Sequence, residues 1–372
     1  YAEQGLVVHE WGSLRMLANH KGATVGSQWS DASDLPRFVH VLEDMRQSMP
    51  MVIEKPIIYF YPPNDQAMRV SVTAHAPEGL FTQFYPKPTM VQPMPMGDAR
   101  MPLSNGTVAW GNALVDAKLE DKLQQVDPNH PWWHIARKVD AAPITVNNEV
   151  EKFLFYRGVT KSSPSIHITG EEKTGVYELK NTSQHTIRHA IMMRVTETGG
   201  SYQLIRLLDP GDQTTADLND AEQITWNDAD EAEAHFRERL EWHGLYPKES
   251  TGLLKIWGKD FFQRPGIRLL YIMHPNEAEA AIKLTVNPRP AHVARALIVQ
   301  VECETEAMGK RIRILIDDLG DADFEKRQAA QDQLQLIDRF AEALLREAMK
   351  DHPDAEVRLR VEEILTRMRQ KD

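Results

Sequence analysis

The chain has 372 residues, 42% of them apolar and 26% charged, the balance of a folded soluble protein long enough for two or three domains. Its 43 basic and 54 acidic residues leave a formal net charge of -11, which disfavours nucleic acid or an anionic membrane surface as a partner. No apolar stretch approaches the ~20 residues of a membrane-spanning helix, and Cys303, the only cysteine, excludes an internal disulfide, a thiolate metal cluster and a Cys-x-x-Cys redox pair.

Residues 1–50 mix short apolar pieces with Gly, Ser and Asp and are dense in His and Trp. Ile57-Ile58-Tyr59-Phe60-Tyr61 is β-branched and aromatic, and the turn Pro62-Pro63-Asn64-Asp65 leads into an alternating run from Met68 to Ala74, which predicts a hairpin. The proline-rich segment 86–106 predicts an extended loop. Val108–Val115 reads as another strand and Ala117–Gln125 as a short helix.

Strands are then predicted at Lys152–Arg157, Ser165–Thr169, Gly175–Lys180, Thr186–Val195 and Tyr202–Leu208, separated by turn residues. Between 228 and 262 the period changes: Ala232, Phe236 and Leu240 recur every four residues, Gly244 stops the helix and Pro247 opens a second. Strand text returns at Ile267–Met273, Ala281–Val286 and Ala296–Val301.

The last 65 or so residues are charged and helical, with apolar stripes on Ile312, Leu315 and Leu319, on Phe324, Leu334 and Ile337, on Phe340, Leu344, Leu345 and Met349, and on Val357, Val361, Ile364, Leu365 and Met368. Two helix pairs of this length predict a degenerate HEAT-like docking module. The expected architecture is therefore mostly β and sandwich-like: a β-rich domain at 1–150, a second at 151–304 with a helical hairpin at 228–262, and a HEAT-like module at 305–372.

Four N-terminal pieces occur in order: His9-Glu10-Trp11-Gly12, Leu35-Pro36-Arg37-Phe38-Val39, Glu54 to Tyr61, and Phe84-Tyr85-Pro86. Ala136-Arg137, Asp140-Ala141-Ala142 and Glu151 to Val159 follow. Together these resemble a family of large, uncharacterised exported bacterial proteins that open with a His-Glu-Trp-Gly motif. The C-terminal helices resemble a HEAT-like element of secreted proteins. The resemblance covers most of 7–303 and implies export but no activity; Ser13 stands where the family usually has threonine. Cysteine scarcity and a first residue that is Tyr1 rather than Met point the same way, to a periplasmic or extracellular protein.

Several residues carry potential chemistry. His9 is a candidate metal ligand or proton shuttle, with Glu10 as base. In a strand, though, the two point to opposite faces unless Gly12 supplies a bend. His130 and His134 flank Trp132-Trp133 at a helical spacing used by zinc sites, and His40 lies near the first motif in sequence. Trp132 and Trp133 either pack in the core at a domain junction or, if exposed, stack on sugar rings. Arg157 ends a strand that is apolar on both faces, so it either pairs with a buried carboxylate such as Glu54 or Asp140 or binds an anionic ligand. His185 and His189 would share one strand face with Ile187 and Ile191, too far apart for one metal. No Gly-x-Ser-x-Gly elbow, phosphate loop or dinucleotide fingerprint occurs.

Three functions are compatible with these residues. The first is an extracytoplasmic binding or assembly protein, docking another protein or a second copy through its C-terminal helices. The second is a hydrolase of polysaccharide or peptide, assisted by a divalent metal such as zinc or calcium held by His9, His40, His130 and His134. The third is binding of cell-wall glycan by Trp132 and Trp133.

Overall fold

A computed structural model describes residues 5–18, 22, 24–25, 35–42, 51–94, 104–162, 166–196, 198–220, 222–224, 229–304, 306–337 and 339–371. The chain opens with β1 (Val7–Ala18), β2 (Thr24–Val25), β3 (His40–Val41), β4 (Met51–Tyr61), β5 (Met68–Ala76), β6 (Gly79–Tyr85), β7 (Met90–Gln92) and β8 (Gly106–Val115). Helix α1 (Pro131–Ala136) precedes β9 (Ile144–Val146), β10 (Glu149–Glu151), β11 (Leu154–Thr160), β12 (Ile166–Glu171) and β13 (Val176–Asn181). Next come β14 (Ile187–Thr196), β15 (Gly199–Leu208), β16 (Gln213–Asp217) and β17 (Glu222–Ile224). Helices α2 (Ala229–Trp242) and α3 (Pro247–Gly258) follow, and a π-helical turn, Lys259–Gln263, extends α3. The body ends with β18 (Gly266–Ile272), α4 (Pro275–Ala281), β19 (Lys283–Asn287) and β20 (His292–Cys303).

The fold is mostly β. An 11-stranded sheet runs in the order β17-β15-β14-β18-β20-β1-β4-β11-β6-β3, with β2 added beside β1. A six-stranded sheet (β10-β9-β8-β5-β19, with β7 on β8) and a three-stranded sheet (β12-β13-β16) accompany it. The large sheet draws strands from both sides of residue 150: β11 lies between β4 and β6. Its two faces are buried differently. Val8, Ile58, Phe60, Leu154, Tyr156, Leu297 and Val299 pack on the inner faces of the two smaller sheets, among Val72, Trp110, Ile144, Ile168 and Leu179. Trp11, Ile57, Tyr59, Phe155, Ile191, Leu270 and Ala296 pack under α1, α2 and α3, against Trp133, Phe236, Leu253 and Trp257. The result is three layers: smaller sheets, large sheet, helices.

Burial on both faces explains why Phe153 and the start of β11 alternate two apolar sets, with Phe153 and Phe155 on the helix side and Leu154 and Tyr156 on the other. It also explains the composition of β1, which pairs with β20 in parallel and with β4 antiparallel. A bulge interrupts the second pairing between Trp11 and Ser13, opposite Lys55 at φ 48. Gly12 is required there, because a Cβ would sit 2.8 Å from Pro56 Cα. The extra residue reverses the parity of β4: Ile57 and Tyr59 face the helices, whereas Ile53 and Met51 face the smaller sheets.

Helices α5 (Glu306–Asp318), α6 (Phe324–Ile337), α7 (Arg339–Asp351) and α8 (Ala355–Lys371) enclose their own core of Ile312, Leu319, Leu334, Leu345, Val361 and Leu365. Phe324, expected in the stripe of α6, is instead 62% exposed. The side chains of Ile337, Phe340 and Met368 lie outside the described residues. Among the described residues no helix is long and apolar enough to cross a membrane.

Candidate functional site

β1 is the central strand of the body and carries three fully buried polar residues, His9, Glu10 and Ser13. Buried polar groups need partners, and the period of a strand sends the first two to different ones. His9 faces the helices. Its Nδ1 is 2.7 Å from Glu249 Oε2, and that same oxygen accepts the backbone N–H of Tyr246 at 2.7 Å. Glu249 occupies the third position of α3 and closes the helix's first turn back onto its N-cap residue, Tyr246. The His9 ring contacts the rings of Tyr246 and Tyr61, centroids 4.5 and 5.2 Å away, with His292 at 6.2 Å. His9 Nε2 has no hydrogen-bond partner among the described residues. Burial, then the Glu249 carboxylate, pushes the Tyr61 phenol far above its ordinary value, so it stays protonated.

Tyr61 and Tyr246 have a second role. With Pro62, Pro247, Asn64, Asp65, Asp140 and Lys248 they line an open cleft of about 630 Å³. Asp140 and Lys248 pair across it at 2.5 Å. A fixed imidazole, oriented through one nitrogen by a carboxylate, therefore lies behind two aromatic walls of the cleft. This is a geometry for proton transfer or hydrogen bonding at the other nitrogen, provided the tyrosines part.

Glu10 faces the opposite layer. Its two oxygens accept from Tyr156 Oη and Arg295 Nε, each at 2.5 Å, and Arg295 also reaches Glu279 at 3.0 Å. The pair is sealed from solvent, and its donors occupy the carboxylate as a buried ion pair does. Glu10 and His9 therefore do not share a site, and Glu10 is an anchor between β1 and β20 rather than a base for the cleft.

The remaining expected metal ligands do not converge with His9. His40 lies on β3, four strands from β1 and so roughly 19 Å away at the usual strand spacing. It bonds Glu149 at 2.8 Å. His134 is exposed on α1, and His130 is the N-cap residue preceding it. Among the described residues no group of three His, Cys, Asp or Glu side chains is placed to hold a metal ion. The expected zinc or calcium set is corrected accordingly.

The tryptophan pair is corrected as well. Trp132 and Trp133 are 8% and 0% exposed, packed edge-on against each other and onto Phe153 and Phe155. Neither presents a flat face to a sugar. Trp133 Nε1 donates to Glu151 Oε2 at 2.8 Å, and Arg137 grips the same carboxylate through Nε and Nη2 at 2.9 and 2.7 Å. Tyr59 Oη ties the end of α1 to β4 by donating to Ala136 O at 2.6 Å. Arg157 is buried in β11, where its Nη1 lies 3.4 Å from Gln83 Oε1 on the paired strand. Its alternative partner Asp140 is on the cleft with Lys248.

His185 and His189 do not share a strand face with both isoleucines. β14 begins only at Ile187, and His189 has a left-handed φ of 53. Ile187 consequently packs toward the smaller sheets while Ile191 packs under the helices.

Sequence reading missed a charged cluster further along the helix-covered face. Arg15 pairs with Glu54 at 3.1 Å and with Asp260 at 2.9 Å, Arg264 joins Asp260 to Glu302, and Arg268 reaches Glu302 at 3.0 Å. Burial alone would push the Asp260 carboxyl up. Arg15, Arg264 and Arg268 outweigh it and hold the group well below the usual carboxylate range. The π turn that carries Asp260 thus pins α3 to the ends of β1, β18 and β20.

No family model matches the chain, and no curated protein does. Among solved structures it is similar to the yeast delta-COP-I mu-homology domain complexed with a Dsl1 WxWxV peptide, at 8% identity and a TM-score of 0.29. It is also similar to the yeast delta-COP-I mu-homology domain alone, at 9% identity and a TM-score of 0.28. Each covers 81% of this chain and 96% of the other. Scores this low carry no argument about fold or function.

Proposed function

We propose that this protein is a binding or assembly protein working outside the cytoplasm, in which the β body is the scaffold and α5–α8 are the HEAT-like docking module. The observation behind this reading is that the module has a core of its own yet leaves Ile314, Phe324 and Leu359 59%, 62% and 53% exposed. Apolar side chains in such positions are available to a partner protein or a second copy. Sedimentation velocity on the full chain and on residues 1–304 is the test. The shorter chain is expected to keep its β circular-dichroism spectrum and lose any self-association. Full-length Ile314→Asp and Leu359→Asp should lose it too. Assembly unchanged in all three overturns the docking role.

A second reading is favoured by the sharing of Tyr61 and Tyr246 between the cleft and the His9–Glu249 pair. In it the cleft takes a glycan or peptide segment on its aromatic and proline walls, and His9 supplies hydrogen bonding or acid–base chemistry without a metal. Titration with soluble cell-wall glycan fragments, comparing the native protein with Tyr246→Ala and His9→Gln, tests it. Binding abolished by the first change and altered by the second supports the reading, and equal affinities in all three proteins defeat it.

A further inference from the structure

A second arrangement of polar groups, used by neither reading, lies on α2. Ala232, Phe236 and Leu240 pack that helix onto the large sheet. Along the flank of this stripe run His235, Arg239 and Trp242, spaced so that they line one side of the helix. β14 brings His189 to the same place, its ring 5.9 Å from that of Trp242. The left-handed backbone of His189 is unfavourable for a residue with a Cβ and persists only where its surroundings enforce it.

The donors here lack acceptors. The Arg239 guanidinium lies 4.0 Å from the centre of the Trp242 ring, and its side chain is only 13% exposed. Among the described residues, Arg239 Nε and Nη1 and His235 Nε2 are buried without a hydrogen-bond partner. Among the described residues the carboxylate paired with Arg239 is that of Glu238, 3.6 Å away and beyond hydrogen-bond reach, on a side chain that is itself 55% exposed.

The surrounding charge is positive. Around His189 stand Arg239 and His235 from α2, Arg188 from its own strand and Arg206 from β15, with His243 from the end of the helix. Burial first, and these cations second, hold His189 below the ordinary histidine value. Burial and Arg239 do the same to His235, partly offset by Glu238. In a chain of formal net charge -11 this is a local concentration of like charge with unused N–H groups, an arrangement that an anion relieves on both counts.

We propose that His189, His235 and Arg239, with Arg188 and Arg206 at the rim, form a binding site for a small oxyanion: a phosphate or sulfate group, free or carried on a larger molecule. The planar guanidinium offers paired N–H donors to such a group. Protonation converts each imidazole into a donor at both nitrogens, so the site binds more tightly as the pH falls. Trp242, 66% exposed beside the guanidinium, gives an apolar carrier a face to rest on.

Calorimetric titration of the full chain with sodium sulfate at about pH 6 and about pH 8, at fixed ionic strength, tests the site. Sulfate keeps its charge across that range, so any change in affinity belongs to the protein. Saturable one-site binding is expected, tighter at the lower pH. Arg239→Gln should weaken it about tenfold or more, the usual scale for a lost charge-assisted hydrogen bond. His189→Gln should remove much of the pH dependence. Phenyl phosphate binding more tightly than inorganic phosphate points to a carried group, and equal affinity to the free anion. Should Arg239→Gln disturb the helix, Arg206→Gln on the exposed rim replaces it, with a smaller loss expected. Absence of saturable binding at both pH values, or affinities unchanged in both arginine variants, overturns the proposal.

Discussion

His9 and Glu10 are neighbours in sequence but take their partners from opposite sides of one sheet. The imidazole bonds Glu249, 240 positions along the chain, and the carboxylate bonds Arg295, 285 positions along. The motif therefore ties the large sheet to the helix layer through His9 and ties strands of that sheet to one another through Glu10: the first partner comes from the start of α3, the other from β20, the strand parallel to β1.

The two partnerships should differ in strength. Glu10→Ala strands a buried guanidinium, and losing one partner of such a pair costs about 3–5 kcal/mol. Glu249→Ala strands the His9 ring nitrogen and the Tyr246 N–H, at about 1–3 kcal/mol for each orphaned group. Both losses should appear in urea unfolding. Isosteric Glu10→Gln, which cannot balance Arg295, should remain more damaging than Glu249→Gln; the reverse order contradicts the ion-pair reading.

Trp133 tests the corrected tryptophan pair. Trp133→Ala opens a cavity beneath α1 and frees one lobe of Glu151, so a loss of about 3–5 kcal/mol is expected. Trp133→Phe keeps most of the volume but not the Nε1 donor and should cost less. Neither change should alter retention on insoluble glycan so long as the protein stays folded, because the rings are buried. Retention lost in a fully folded variant would restore the sugar-stacking role.

Asp260 sets an acid limit. Its folded carboxyl lies below the ordinary unfolded value of about 3.9 because three arginines outweigh its burial. A depressed acid contributes stability that is fully present above the unfolded value and is lost as the pH falls toward the folded one. Thermal melts taken from about pH 5 downward should show the native protein losing stability faster than Asp260→Asn. Parallel curves would remove Asp260 from the account of acid unfolding.

Because α5–α8 have a separate core, Ile312→Ala should destabilise that module by about 2–5 kcal/mol and leave the β body intact. Limited proteolysis should then cut first within 306–371, releasing a body that retains its near-ultraviolet aromatic signal. Simultaneous loss of both parts would mean that the module and body unfold together.

The parts of this molecule that were legible in the sequence are those governed by local period. The helical hairpin at 228–262, the two-faced β11 and the divergence of His9 from Glu10 all follow from counting residues along one element. What escaped was pairing across the chain. Nothing near His9 announces Glu249, and nothing near Trp133 announces that Glu151 would need both an indole and Arg137. The sequence leaves the Trp132–Trp133 pair open between core packing at a domain junction and a sugar platform; α1, only six residues long, turns both rings inward and takes the first. At His189 the two-residue period itself failed, since one left-handed residue moves its neighbours Ile187 and Ile191 into different cores.

The parallel pairing of β1 with β20 also has a kinetic consequence. The central strand is the first described strand in sequence, yet one of its neighbours is the last strand of the body, in register from Val7 with His292 to Ala18 with Cys303. Contacts so distant in sequence form late and slowly. A folding chain therefore keeps its central strand half-paired until β20 has joined it. Until then one edge of β1 stays open to chaperones, and the large sheet closes in one late step, when β20 docks.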